Sequence, residues 1–273
     1  MKKFICKELD NKPFETKEAL FAELKAKEQE IIDAKKSEPK ETRSLELPLL
    51  QNYDFKAPFK TEKGYFYAII NTTNILDSHG DVHLPKIWNK SAKEQNGKTY
   101  YVADHELKIN GVIVRPENVE IQLHKTTFKE LGYDLEGSTV ALVFKMPIDK
   151  IKNSAAKEII DNQEQVENSI RMKYINLVLC IDSSNPDLKK EKENFDKYYP
   201  QVANKEKADE LGYFWAILEG GIHKEGSMVL FGSNSATHIV YHQEEKADSK
   251  SLLHIEPFSE NTQAKQLFIQ NLI

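Results

Sequence analysis

Glu167-Asn168-Ser169-Ile170-Arg171-Met172-Lys173-Tyr174-Ile175-Asn176-Leu177-Val178-Leu179-Cys180-Ile181 is the stretch on which the fold turns. From Tyr174 to Ile181 nearly every residue is β-branched, aromatic or leucine, in a run too short for a comfortable helix and suited to a buried strand. Ser169 stands where a charged, helix-forming segment gives way to that run. A stiff strand can hold such a serine with its hydroxyl facing a cleft. The plain alternative is that Ser169 merely starts the strand. Two distant segments give it interest: one upstream that carries a histidine, and one downstream that carries a glutamate.

Working outward, residues 43–50, 65–70, 98–103, 111–115, 119–123 and 138–145 read as strands, as do 212–219 and 227–231. Pro85 opens an expected helix through Glu94, and Pro147 one running to about Val166, with Ile148, Ile151, Ala155, Ile159 and Ile160 on one face. Residues 187–199 and 204–211 read as polar helices. Helices and strands do not alternate regularly. The expectation is therefore an α+β fold, mainly an antiparallel β-sheet or β-barrel core with surrounding helices, rather than a doubly wound sheet. Residues 15–36 form an expected amphipathic helix capped by Thr16 and followed by a charged linker. The chain thus divides into an N-terminal helical extension (1–45), a main domain (46–242) and a polar C-terminal tail (243–273).

With 273 residues, 40% hydrophobic and 30% charged, the composition is that of an ordinary globular protein. A net charge of −5 gives no electrostatic case for nucleic acid or for an anionic membrane surface. Cys6 and Cys180 provide no disulfide framework, no apolar run reaches the ~18 residues of a spanning helix, and Met1-Lys2-Lys3 leads into no secretory segment. These features predict a cytoplasmic protein.

Three groupings of polar residues suggest chemistry. His79 and His83, with Asp81 between them and His105 downstream, would serve a metal-dependent hydrolase, although Gly80 and Pro85 argue for a turn rather than a ligand-bearing helix. Cys180 could pair with a histidine, but its apolar setting predicts an inert buried thiol. The third is a serine hydrolase. A serine hydroxyl needs a base, and the base needs a partner that fixes its tautomer and stabilises its charged form. His105 ends a strand between Asp104 and Glu106, and Glu225 opens Glu225-Gly226-Ser227-Met228-Val229. Sequence spacing alone leaves the three groupings open.

Asn74-Ile75-Leu76-Asp77-Ser78-His79-Gly80-Asp81-Val82-His83-Leu84-Pro85 resembles the opening signature of the tailed-phage prohead proteases: an aspartate, then Gly-Asp-Val, then a proline. Asp104-His105 resembles the family's histidine segment, Asn168-Ser169-Ile170 its nucleophile segment, and Glu225-Gly226-Ser227-Met228-Val229 its Glu-Val-Ser-Leu-Val. The matches run in order over roughly residues 65–237. The family is related in fold to the herpesvirus assemblins, so the resemblance implies an assemblin-like barrel. It further implies His105 as general base, Ser169 as nucleophile and Glu225 as the orienting acid, with Glu219 as the fallback. The backbone amide of Ser233 or Asn234 would be the oxyanion donor.

No metal or organic cofactor is implied. The implied substrates are a capsid scaffold, a segment of the major capsid protein and the chain itself, inside an immature capsid in the bacterial cytoplasm, with a possible homodimer. Two departures from the family pattern concern the pocket: Arg171 stands where glycine is common, and Lys86-Ile87-Trp88 replaces smaller residues after Pro85. A non-catalytic scaffold or assembly factor of the same fold is the alternative, favoured by the charged N-terminal helix and opposed by the three intact side chains.

Overall fold

The computed structural model describes residues 3–37, 57–164, 166–230 and 236–242. In chain order, the elements are β1 (Phe4–Ile5), β2 (Pro13–Phe14), α1 (Lys17–Ala26), α2 (Glu28–Ser37), β3 (Tyr65–Thr72), β4 (Asp81–His83), α3 (Ser91–Gln95) and β5 (Tyr100–Ala103). There follow β6 (Val112–Val114), β7 (Glu120–Thr127), β8 (Ser138–Pro147), α4 (Ser154–Asp161), β9 (Glu167–Ile181), α5 (Lys189–Tyr198), α6 (Lys205–Leu211), β10 (Tyr213–Val229) and β11 (Ile239–Tyr241). The fold is mixed α and β. β1 and β2 form a small ribbon, β11-β3-β8-β7 an antiparallel sheet, and β4, β5, β6, β9 and β10 a second large sheet. Among the described residues these strands do not close into a barrel.

β10 organises the second sheet. One edge pairs antiparallel with β9 from Tyr213 opposite Ile181 to Val229 opposite Glu167. Its other edge pairs first with β4 and then with β5, and both of these run parallel to it. Strand parity explains how β9 serves two environments. Ile170, Met172 and Tyr174 face the core, while Arg171, Lys173 and Ile175 lie on the more open face with Ser169. A bridge from Glu167 to His238, just before β11, joins the β9 edge to the antiparallel sheet. The two large sheets enclose one core, in which Phe66, Ile70 and Phe144 meet Ile170, Met172 and Met228.

Gly226 sets the spacing of the sheets beside the site. A Cβ there would lie 2.7 Å from a ring carbon of Phe144 and 3.2 Å from Ile70, so only glycine lets β10 lie against them. Its neighbours Glu225 and Ser227 point the other way.

Several expectations change in detail. Ser169 lies inside a 15-residue strand rather than before it, and the two strands expected at 212–219 and 227–231 are one 17-residue strand. The turn-like sequence around Gly80 still supplies strand β4, because Asp81–His83 pairs with Trp215–Ile217. After Pro85 the chain makes consecutive turns, and helix begins only at Ser91. The long helix expected from Pro147 is a single 3-10 turn followed by α4. The 15–36 helix is two helices, α1 capped as expected by the Thr16 hydroxyl.

Residues 3–37 share the main core through Leu20, Phe21 and Leu24, and Phe21 meets Tyr213 edge-on. The strand expected at 43–50, the linker and the 243–273 tail lie outside the described residues. No helix among the described residues is long and apolar enough to cross a membrane.

Candidate active site

The site forms where β9, β10 and β5 lie side by side. In the ladder Ser169 is directly opposite Ser227, and Ser227 is in turn opposite Val102 of β5. Directly opposed residues of an antiparallel pair point to the same face with Cβ atoms about 5 Å apart. Glu225, two residues before Ser227, shares that face, and its Oε2 accepts a 2.8 Å hydrogen bond from the Ser227 hydroxyl. The sheet therefore gathers Ser169, Ser227 and Glu225 by register alone.

His105 enters from the end of β5. The Asp104 amide continues the ladder by donating to the Met228 carbonyl at 2.9 Å. The chain then turns sharply: Asp104 and His105 have φ of 48° and 57°, and the Glu106 amide donates back to the Ala103 carbonyl. Two successive left-handed residues are uncommon outside glycine, though Asp and His tolerate this region better than most. The turn is crowded, because a Cβ on Gly111 would stand 2.3 Å from the Glu106 carbonyl oxygen. It directs the His105 ring back over β10, where Nδ1 lies 2.8 Å from Glu225 Oε1. The backbone amide of His105 donates to the Ser227 hydroxyl at 3.0 Å.

Exposure differs sharply within the pair. The Glu225 side chain is fully buried, whereas that of His105 retains 14% exposure, so the imidazole presents an accessible edge. A buried carboxylate is costly unless its oxygens are bonded, and here each oxygen has a partner. With Nδ1 facing the carboxylate, the neutral ring carries its proton there and offers Nε2 as the base. The Ser169 Oγ is buried and makes no hydrogen bond among the described residues. It is a hydroxyl with its bonding capacity unspent, one strand away from a histidine–carboxylate pair.

The core side holds the register. Asn168 donates from Nδ2 to the Thr237 carbonyl at 2.6 Å, and its Oδ1 accepts from the Tyr101 hydroxyl at 2.6 Å. Tyr101 belongs to β5, so the strand bearing the histidine is tied to the residue next to Ser169. On the outer face Arg171 follows Ser169 by one pleat. His223 is held below the ordinary histidine range by burial and then by Lys173, Lys224 and Arg171, which marks this stretch of surface as cationic.

Of the residues expected from sequence, His105 and Glu225 are thus in direct contact, and Ser169 lies on the adjacent strand facing the same way. Glu219 lies elsewhere and forms an ion pair with Lys90 at 3.5 Å, so it does not share the cluster. Ser233 and Asn234 lie outside the described residues.

His83 is buried against Trp88 and Tyr174, with Nδ1 3.3 Å from Asn71 Oδ1, while Asp81 is engaged by Lys35. Among the described residues no group of three or more His, Cys, Asp or Glu is arranged to hold a metal, which leaves the His79/His83 grouping without a donor set there. Both cysteines are free and buried, and burial pushes both thiols up, that of Cys6 to about 12.

Sequence reasoning missed Ser227, although Glu225 and Ser227 at a spacing of two in a strand must share a face. It also missed Tyr101 and Asn168, whose 67-residue separation carries no local signal. Compared with protein-family models, curated proteins and solved structures, the chain finds no significant match.

Proposed function

We propose that the chain is a serine endopeptidase of the tailed-phage prohead type, with Ser169 as nucleophile, His105 as general base and Glu225 as the acid that orients it. The observation that carries this reading is the 2.8 Å contact between His105 Nδ1 and Glu225, residues 120 apart in sequence, on the face of β10 to which the neighbouring β9 brings the unbonded hydroxyl of Ser169. Ser169 Oγ attacks the scissile carbonyl while His105 Nε2 takes its proton. Glu225 stabilises the imidazolium, which then protonates the leaving amine. Water, deprotonated by the same nitrogen, attacks the acyl-enzyme and restores Ser169. In an enzyme without substrate the contact between hydroxyl and base is commonly loose and tightens on binding, which accommodates the idle Ser169 hydroxyl.

The assemblin-like barrel belongs to this proposal. The wrapping of two sheets around one core and the Glu167–His238 bridge between their edges support it. The proposal also includes the oxyanion role of a Ser233 or Asn234 amide, action inside an immature capsid on scaffold, capsid protein and the chain itself, and self-association as a dimer, each of which follows from the family resemblance. A fluorophosphonate probe tests the core of the proposal. The wild type is expected to take up one probe per chain at Ser169, and Ser169→Ala none. Equal labelling of the two proteins overturns it.

A further inference from the structure

We infer that Ser227 is a positioning residue of the same site: its single hydroxyl holds the orienting acid and the base together, and so fixes where the free nitrogen of His105 points. This inference rests on the serine-hydrolase reading above and adds a fourth residue to it.

The geometry is specific. The Ser227 hydroxyl has one proton and two lone pairs. The proton goes to Glu225 Oε2 at 2.8 Å, and a lone pair receives the His105 backbone N–H at 3.0 Å. Glu225 therefore has one oxygen held by Ser227 and the other free to accept from the imidazole. Without the hydroxyl, a fully buried carboxylate would keep one oxygen unpaired, and it would rotate or take up a proton to relieve that cost. The second bond acts on the other partner. His105 follows Asp104 through two left-handed residues, and the amide bond to Ser227 ties that turn to β10. Ser227 is also the residue directly across from Ser169, so the anchor for the base and the nucleophile share one rung of the ladder.

The experiment measures reaction of the full chain with a fluorophosphonate over a range of probe concentrations. In this step Ser169 Oγ bonds to phosphorus, fluoride leaves, and the hydroxyl proton passes to His105, so the limiting rate reports activation of the nucleophile. Loss of a hydrogen bond to a charged group predicts a limiting rate about 10- to 100-fold lower in Ser227→Ala, with half-saturation within about twofold of wild type. Ser227→Thr, which keeps the hydroxyl, is expected within about threefold of wild type.

Proton NMR supplies a readout that a purely structural role would not move. The downfield His105 Nδ1 proton is expected in the wild type and in Ser169→Ala, and is lost or broadened in Ser227→Ala. Should Ser227→Ala fail to fold, Ser227→Cys takes its place with a similar volume and a weak donor, and the same losses are expected. An unchanged limiting rate together with an unchanged Nδ1 signal in the folded variant overturns the inference. Unimpaired labelling of Ser169→Ala overturns the nucleophile assignment instead, and the NMR comparison still decides the role of Ser227.

Discussion

Two buried polar clusters lie along the same large sheet, one around Asp81 of β4 and Tyr174 of β9, the other on β10, and they are built to opposite ends. The first joins the N-terminal segment to the sheet. Lys35 of α2 inserts its ammonium between Asp81 Oδ1 at 2.6 Å and Glu8 Oε1 at 3.0 Å, and Tyr174 donates to the second Asp81 oxygen at 2.8 Å. Burial alone would depress the lysine, but Asp81 and Glu8 outweigh it and hold the ammonium above the ordinary lysine range. Burial pushes the Asp81 carboxyl up, against the pull of Lys35.

The second cluster is His105–Glu225–Ser227. It satisfies its carboxylate just as fully, yet it leaves an imidazole edge exposed, and the unbonded Ser169 hydroxyl stands on the adjacent strand directly across from Ser227. In the first cluster every hydrogen-bonding group of Asp81 is spent on holding chain segments together. In the second, capacity is held back. Under the proposed function, that difference separates the structural charge cluster from the reactive one more clearly than burial does, since both are buried.

The largest expected effect tests whether the second cluster is reactive. His105→Ala is expected to lower the rate of fluorophosphonate labelling of the folded protein by roughly 10⁶, together with a lower melting temperature because it leaves the buried Glu225 Oε1 without its partner. Retained labelling would reduce the pair to a structural contact. Glu225→Gln preserves shape but reverses the hydrogen-bond role of the group facing Nδ1, and a loss of roughly 10⁴ is expected in the same assay.

The first cluster should respond in stability instead. Lys35→Met leaves Asp81 and Glu8 buried without their cation, at an expected cost of about 3–5 kcal/mol in denaturant unfolding, while labelling of the folded fraction is unchanged. If labelling fell in proportion to the rate and not to the folded fraction, the two clusters would not be separable.

A smaller effect concerns His83, which packs beside Asp81 through Tyr174. Burial depresses its imidazole to about 4. Between about pH 6.5 and 4 the unfolded chain binds the proton that folded His83 refuses, so its contribution to stability falls as pH falls. The stability advantage of wild type over His83→Asn is therefore expected to shrink across that window, by on the order of 3 kcal/mol when complete. Thermal melts of both proteins at matched pH measure it. The smallest effect has the opposite sign from ordinary damage: Ser169→Ala removes a buried, unbonded hydroxyl and is expected to gain up to about 1 kcal/mol.

The sequence displayed the parts of the second cluster better than those of the first. Strand character around Tyr174–Ile181 was legible because it is written in consecutive residues, and the family likeness supplied His105, Ser169 and Glu225. The Lys35–Asp81 pair was not legible: the residues are 46 apart, and a lysine in a charged amphipathic helix looks like any solvated lysine. β4 was hidden for a related reason. Asp77, Gly80 and Asp81 form a tight turn, with the Asp77 carboxylate accepting the amides of His79 and Asp81, so turn chemistry masks a strand whose pairing is supplied by β10. The long β10 was divided in sequence by Gly220, Gly221 and Lys224; the ladder with β9 shifts between Glu219 and Gly220 and again in the irregular stretch between Ile222 and Gly226, where Lys224 lies.

That irregular stretch carries a consequence for anyone who edits this chain. Four steps along β10, from Ile222 to Gly226, answer two steps along β9, from Met172 back to Ile170. The surplus sets the phase in which the rest of the strand arrives at the cleft. Deleting one residue between Ile222 and Glu225 would send the carboxylate inward toward Phe144 and turn Gly226 outward, inverting the site while leaving the overall scaffold recognisable. Insertions in the surface connections are readily absorbed, but this short excess acts as the frame marker of the molecule.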